Sequence, residues 1–300
     1  MNKSKFIFQN HIVVLLAVLL ALCGCKNRSA KIQLINPIEN NELQKLWLAD
    51  GDAQSDTVVI FCQGGPSNSL DFTPGERTNW RYLPGYEGYY KIFLHQYSTL
   101  YPDIFNYNNF TKNEAQKVTE YSVNMIAKTV ETFKNKNKNK KVLLIGHSYG
   151  AFLVNHYLSI GENQADKVAV LSSRIDVPKE VYESHLNGVN GFFENGITFI
   201  KDSVNRIEKY PVSKRKSYRV KQILKGSLGS IQHSSLMANK NLENVYYFNA
   251  NMDDRVGEMS VEEVEFLTSK GAKVFQTRYN HSDTFYGLVE AIEAKEINWR

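Results

Sequence analysis

Lys141-Val-Leu-Leu-Ile145, followed at once by Gly146-His147-Ser148-Tyr149-Gly150, is the stretch on which the reading of this 300-residue chain turns. Its first half is a short apolar run of the kind that lies buried on both faces of a sheet. Its second half holds a serine between two glycines. An apolar helical pattern starts directly after it, at residue 149, and stops at Gly161, a helix C-terminus. A strand that hands over to a helix so abruptly needs a turn whose flanks lack side chains, which Gly146 and Gly150 supply. Such a turn pushes the Ser148 hydroxyl out at the sheet's edge, over a helix N-terminus that favours negative charge.

Outward from this turn, similar runs recur at Thr57–Cys62, Lys91–His95, Lys167–Leu171, Val245–Phe248 and Lys273–Thr277. Helical patterns fall between them. In 114–133, Val123, Ile126, Val130 and Phe133 recur at three- and four-residue steps and predict one buried stripe. Ser260 and Glu263 have capping-box spacing, with Gly271 closing that helix, and a last helix is expected over 283–298. Strands alternating with helices predict an α/β class, with a mostly parallel sheet covered by helices on both faces. Residues 25–43 read as a tether and first short strand, and 44–173 with 243–300 as the core. Residues 174–242 are too long for a simple connection and read as an inserted helical lid. The lid carries aromatics and nine Lys or Arg from Lys201 to Lys225 against Asp202 and Glu208. The run KNKNKNKK at 134–141 reads as a solvated surface turn.

A serine nucleophile needs a base. His281 stands just past the last strand and before the final helix. His147 lies inside the turn and faces away from a base role, His156 is expected to pack, and His95 ends a strand where it can line a site. An acid is expected in Ala250-Asn-Met-Asp253-Asp254-Arg255-Val256, after the fifth run, where two aspartates compete for the role. The backbone N–H of Tyr149, next to the serine, is placed to hold a developing oxyanion. Gln63-Gly64-Gly65-Pro66 follows the Thr57–Cys62 run and offers a second close approach of backbone.

Taken in order, these features resemble the α/β-hydrolase fold of serine hydrolases, over about residues 44–300. The resemblance implies the chain order Ser148, acid, His281. Its G-x-x-D-x-x-V pattern, with Ala250 at the glycine position, selects Asp253 over the alternate Asp254. It implies Gly65 as the second oxyanion donor, although Gln63 stands where the family usually has His. The implied chemistry is cleavage of a carboxylic ester or related acyl bond in a small-molecule substrate, through an acyl-enzyme and without a cofactor. Gly-Gly-Pro also suggests a prolyl-aminopeptidase-like peptidase, whose amine-binding acids would be sought in Glu180, Glu183 or Glu194. The same fold can also serve as a non-catalytic surface binding protein.

The N-terminus carries an address. Lys3 and Lys5 precede the apolar run Ile12–Leu22, which is too short for an ordinary membrane span. Its end, Leu22-Cys23-Gly24-Cys25, resembles a bacterial lipoprotein signal. That resemblance implies a leader over 1–24, lipidation at Cys25, and an exported protein anchored to a membrane of the cell envelope. Loss of 1–24 removes two lysines and no acid, so a net charge of +5 is partly a targeting feature. The balance of 36 basic and 31 acidic residues argues against a nucleic-acid partner. No Cys/His metal spacing and no G-x-G-x-x-G is present, and Cys62 reads as a small buried residue.

Overall fold

The strands follow the apolar runs, because only these residues tolerate burial on both faces of a sheet. The computed structural model describes residues 33–299 apart from 40–42, 72–78, 137–139, 204–207 and 209. The expected leader and Cys25 therefore lie outside the described residues. The strands are Trp47–Asp50 (β1), Thr57–Cys62 (β2), Tyr90–Leu94 (β3), Lys141–His147 (β4), Lys167–Leu171 (β5), Gly191–Glu194 (β6), Thr198–Lys201 (β7), Val245–Ala250 (β8) and Lys273–Thr277 (β9). The helices are Tyr97–Leu100 (α1), Lys112–Lys136 (α2), Tyr149–Ile160 (α3), Lys179–Leu186 (α4), Val212–Gly229 (α5), His233–Leu236 (α6), Val261–Ser269 (α7) and Thr284–Glu293 (α8). Among the described residues no helix is long and apolar enough to cross a membrane.

Seven strands form one sheet in the order β1-β3-β2-β4-β5-β8-β9, parallel except for the antiparallel edge strand β1. Alternate residues face opposite sides. Phe61, Ile145, Leu171 and Phe248 join Phe285, Leu288 and Trp299 in a core beneath α8. The other face, with Ile60, Leu144 and Val170, is fully buried, and α2 and α3 pack on β4. The predicted stripe of α2 is buried at Val123, Ile126, Val130 and Phe133.

The structure corrects the sequence reading at four places. Among the described residues the first strand is β1 and none lies in 33–39; Trp47–Asp50 pairs along one edge and needs no continuous apolar run. Helix α2 continues to Lys136, into the charged run expected as a turn, and Lys134 is held there by Asp166 at 2.9 Å. Helix α8 ends at Glu293 because the chain turns at Lys295 (φ 59°), and Ile297 and Trp299 fold back into the core. The lid is not wholly helical. Between α4 and α5 it carries the antiparallel hairpin β6–β7, turned by Asn195 and Gly196 with φ of 53° and 74°. An Asn-Gly pair between Phe193 and Phe199 is a hairpin signal legible in the sequence.

The lid is fastened at both ends. At its start, Glu263 closes the capping box of α7 with Ser260, pairs with Arg174 at 2.8 Å, and accepts from the N–H groups of Ile175 and Asp176. At its end, His233 is 1 % exposed and hydrogen-bonds through Nδ1 to Ile175 O at 3.1 Å. Its Nε2 has no partner among the described residues. Burial first, then the nearby His156, depress the His233 pKa to about 3. The unfolded chain takes up a proton as pH falls below the ordinary histidine value, and the native lid refuses it. Stability is thus fully present above about pH 6.5 and is lost as pH falls toward the folded value. At pH 5 this site alone costs about 2 kcal/mol relative to pH 8. Urea unfolding at the two pH values measures it, and His233→Asn, which keeps a donor near Ile175 O, is expected to remove that share of the difference.

Candidate active site

The turn from β4 into α3 is as tight as the glycines suggest. A Cβ on Gly150 would stand 2.3 Å from Cys62 O, and one on Gly146 would stand 2.8 Å from Ala151 Cα. Ser148 itself takes φ 53° and ψ −122°, a conformation that a side-chain-bearing residue adopts only at a cost of about 1–3 kcal/mol. Its N–H donates to Leu171 O at 2.9 Å, which pins the turn to β5. Cys62, directly beneath, is buried, and burial pushes its thiol pKa up to about 12, so it is an inert packing residue.

The structure brings Ser148, His281 and Asp253 together. His281, in the loop between β9 and α8, places Nε2 2.9 Å from Ser148 Oγ. Its Nδ1 lies 2.9 and 2.8 Å from Asp253 Oδ1 and Oδ2. Asp253 is fully buried, and its Oδ1 also accepts from the N–H groups of Arg255 and Val256 at 2.8 and 2.9 Å. Those donors offset the cost of desolvating the carboxylate. A carboxylate only accepts, so Nδ1 carries the proton and Nε2 is free to accept from the serine hydroxyl. Asp254 is not part of this chain of bonds. It is exposed and pairs with Arg255 at 3.4 Å.

The backbone of His281 is held from behind by residues the sequence reading gave no such role. The His281 carbonyl accepts from Ser172 Oγ at 2.5 Å and from His147 Nε2 at 3.0 Å. Ser172 follows β5 with φ 51° and also contacts Thr284 Oγ1. Burial, then the neighbouring His281, lower the His147 pKa to about 4, so a neutral ring makes this bond near neutral pH. No motif marks Ser172 in the sequence. Its role exists only once β5 and the His281 loop adjoin. His95 bonds Thr99 Oγ1 at 2.9 Å and is not among the residues lining the cleft.

Gly65, Ser148 and Tyr149 line one cleft. Tyr149 is the first residue of α3, so its N–H lacks an intrahelical acceptor, and the residue lines the cleft beside the serine. The loop bearing Gly65 is fixed by Gln96, whose Nε2 donates to Gln63 O and Gly64 O and whose Oε1 accepts from Ser67 N. A Cβ on Gly65 would lie 2.6 Å from the Ser67 backbone N, so this turn favours glycine. Gln63 spends its side chain within the loop, on Ser69 O and Asp71 N.

The walls of the cleft are apolar, with Phe152, Val177, Val181 and Leu228. Lys225 and His185, from the lid helices, and Arg255, from the Asp253 loop, complete them. Burial, followed by the charges of Arg255 and Lys221, lowers the Lys225 pKa to about 8. Burial and the Lys225 charge lower that of His185 to about 4.

Comparison with known proteins agrees with this architecture. A family model described as the alpha/beta hydrolase fold matches residues 57–202, from β2 into the lid. Among solved structures, BpoC of Mycobacterium tuberculosis, which bears a non-heme bromoperoxidase name, is 14% identical. The alignment has a TM-score of 0.52 and covers 84% of this chain and 94% of that one. A lipase-esterase related protein from Clostridium acetobutylicum is 18% identical with a TM-score of 0.46, over 83% of this chain and 99% of the other. An esterase from Exiguobacterium antarcticum is 12% identical with a TM-score of 0.46, over 83% and 94%. No curated protein sequence matches the chain. The parallel sheet with its antiparallel edge, the serine at the turn between β4 and α3, and the family match over that same region lead to one assignment: the chain has the α/β-hydrolase fold.

Proposed function

We propose that the protein is a serine hydrolase that cleaves a carboxylic ester or related acyl bond. The observation that carries this reading is the unbroken series of hydrogen bonds from Ser148 Oγ through the His281 ring to a buried carboxylate. In it, Ser148 Oγ attacks the carbonyl carbon while His281 Nε2 takes the hydroxyl proton. Asp253 keeps its charge and stabilises the imidazolium. The N–H groups of Tyr149 and Gly65 hold the oxyanion. Collapse of the tetrahedral adduct expels the leaving group, which takes the proton from His281 and leaves an acyl group on Ser148. Water, deprotonated by His281, then releases the acid and restores the serine. Among the described residues lining the cleft there is no carboxylate to receive a substrate's free amine, which favours an ester over an aminopeptidase substrate.

A fluorophosphonate probe is expected to label the wild-type chain at residue 148, with loss of both labelling and p-nitrophenyl ester turnover in Ser148→Ala. Turnover retained by that variant overturns the reading. Asp253→Asn, which puts an amide opposite His281 Nδ1, is expected to lower kcat by about 10³–10⁴-fold. Asp254→Asn, at a solvent-exposed pair, leaves kcat within about twofold. Steady-state kinetics on the two variants separates the neighbouring acids.

We further propose that the chain is exported, cut before Cys25 and held at a membrane of a bacterial cell envelope by lipid on that cysteine, a reading supported by Leu22-Cys23-Gly24-Cys25. Radiolabelled palmitate fed to expressing bacteria is expected to mark the protein, and Cys25→Ala to abolish the label.

A further inference from the structure

The cleft contains a cation that pairs with none of the described residues. Lys225 is half-buried on α5, and among the described residues its ammonium has neither a hydrogen bond nor an ion pair. The charged groups around it make its position worse. Arg255 and Lys221 both repel it. Lys221 is turned toward the Phe105 ring at 5.4 Å, and His185 on α4 is uncharged near neutral pH. Arg255 lines the same cleft and pairs with the exposed Asp254 at 3.4 Å. Lys225 thus stands without a counter-charge in an apolar-walled cleft that has no acid among its described lining residues and that the more exposed Arg255 also lines. A buried charge without a partner is a mark of a ligand site, since the missing counter-charge arrives with the ligand.

We infer that the substrate itself carries an anionic group, a carboxylate or a phosphate, which Lys225 and Arg255 bind while its acyl carbonyl lies at Ser148. This rests on the hydrolase reading above and names the substrate class for it. The remaining walls, Phe152, Val177, Val181 and Leu228, suit a short apolar segment between the two polar ends. Placing both cations on the lid and the Asp253 loop means that recognition is supplied by elements other than those that carry the serine and the histidine.

Two matched ester pairs test this on the full chain. In one pair the charge is in the acyl part, p-nitrophenyl hydrogen glutarate against its methyl ester. In the other it is in the leaving group, a carboxyphenyl valerate against its methyl ester. In at least one pair kcat/KM is expected to favour the anion by about tenfold or more. Lys225→Met and Arg255→Gln should each bring that ratio toward one, with circular dichroism reporting folding. The exposed Arg255 keeps the test intact if the Lys225 variant misfolds. Equal or higher kcat/KM for the neutral ester in both pairs overturns the inference, as does a ratio that survives in both variants. If no ester of any kind is turned over, the hydrolase reading fails separately. Calorimetric titration with glutarate and with inorganic phosphate then decides the anion site. Binding that weakens about tenfold in Lys225→Met supports it, with the tighter of the two anions naming the group. No binding of either anion overturns it.

Discussion

Everything at this site depends on how little room lies between β4 and α3. Gly150 lies too close to β2, and Gly146 too close to the first turn of α3, for either to carry a side chain. Ser148 is the residue left to bear the unfavourable backbone angles. The sheet and helix on either side hold it there: β4 is buried at nearly every residue, and α3 is buried along most of its length. A turn of this kind is stable only because its surroundings over-determine it. In return the hydroxyl stands clear of the sheet, and the helix N-terminus behind it offers an unused N–H.

The other site residues arrive by the same rule. In a parallel sheet every strand points the same way, so the loops after successive strands gather along one edge, where ligands bind in open α/β sheets. Gly65 follows β2, Ser148 follows β4, Ser172 follows β5, Asp253 follows β8 and His281 follows β9. Residues separated by as many as 133 positions thus meet within hydrogen-bonding distance. The backbone N–H bonds to Asp253 and the Ser172 Oγ bond to the His281 carbonyl fix these groups before any substrate is present.

Much of this was legible in the sequence, for identifiable reasons. Strands buried on both faces announce themselves as apolar runs, so β2, β4, β5, β8 and β9 could be read to within a residue or two. Ser148 was marked by its glycines, and His281 and the Asp253–Asp254 pair by their positions after strands. What escaped has no local signature. Strand β1 is a mostly exposed edge whose paired residues lie 41 or more positions away. Ser172 is an ordinary serine until the His281 loop packs over it. Lys225 is one of nine basic residues between positions 201 and 225, and only the fold separates it from those that face water. The hairpin β6–β7 is a different case. Its Asn195-Gly196 signal was present but was overshadowed by the helical patterns around it.

That hairpin bears on how the enzyme fold can diversify. Phe193 N donates to Asp254 O, Glu258 N donates to Gly196 O, and Gly196 lies against Met252, so the insertion is stitched to the very loop that presents Asp253. The insertion is therefore not an interchangeable cap. A transplanted lid from another protein would have to reproduce these main-chain stitches or let Asp253 drift from the His281 ring, so the insertion and the acid's position are tied together.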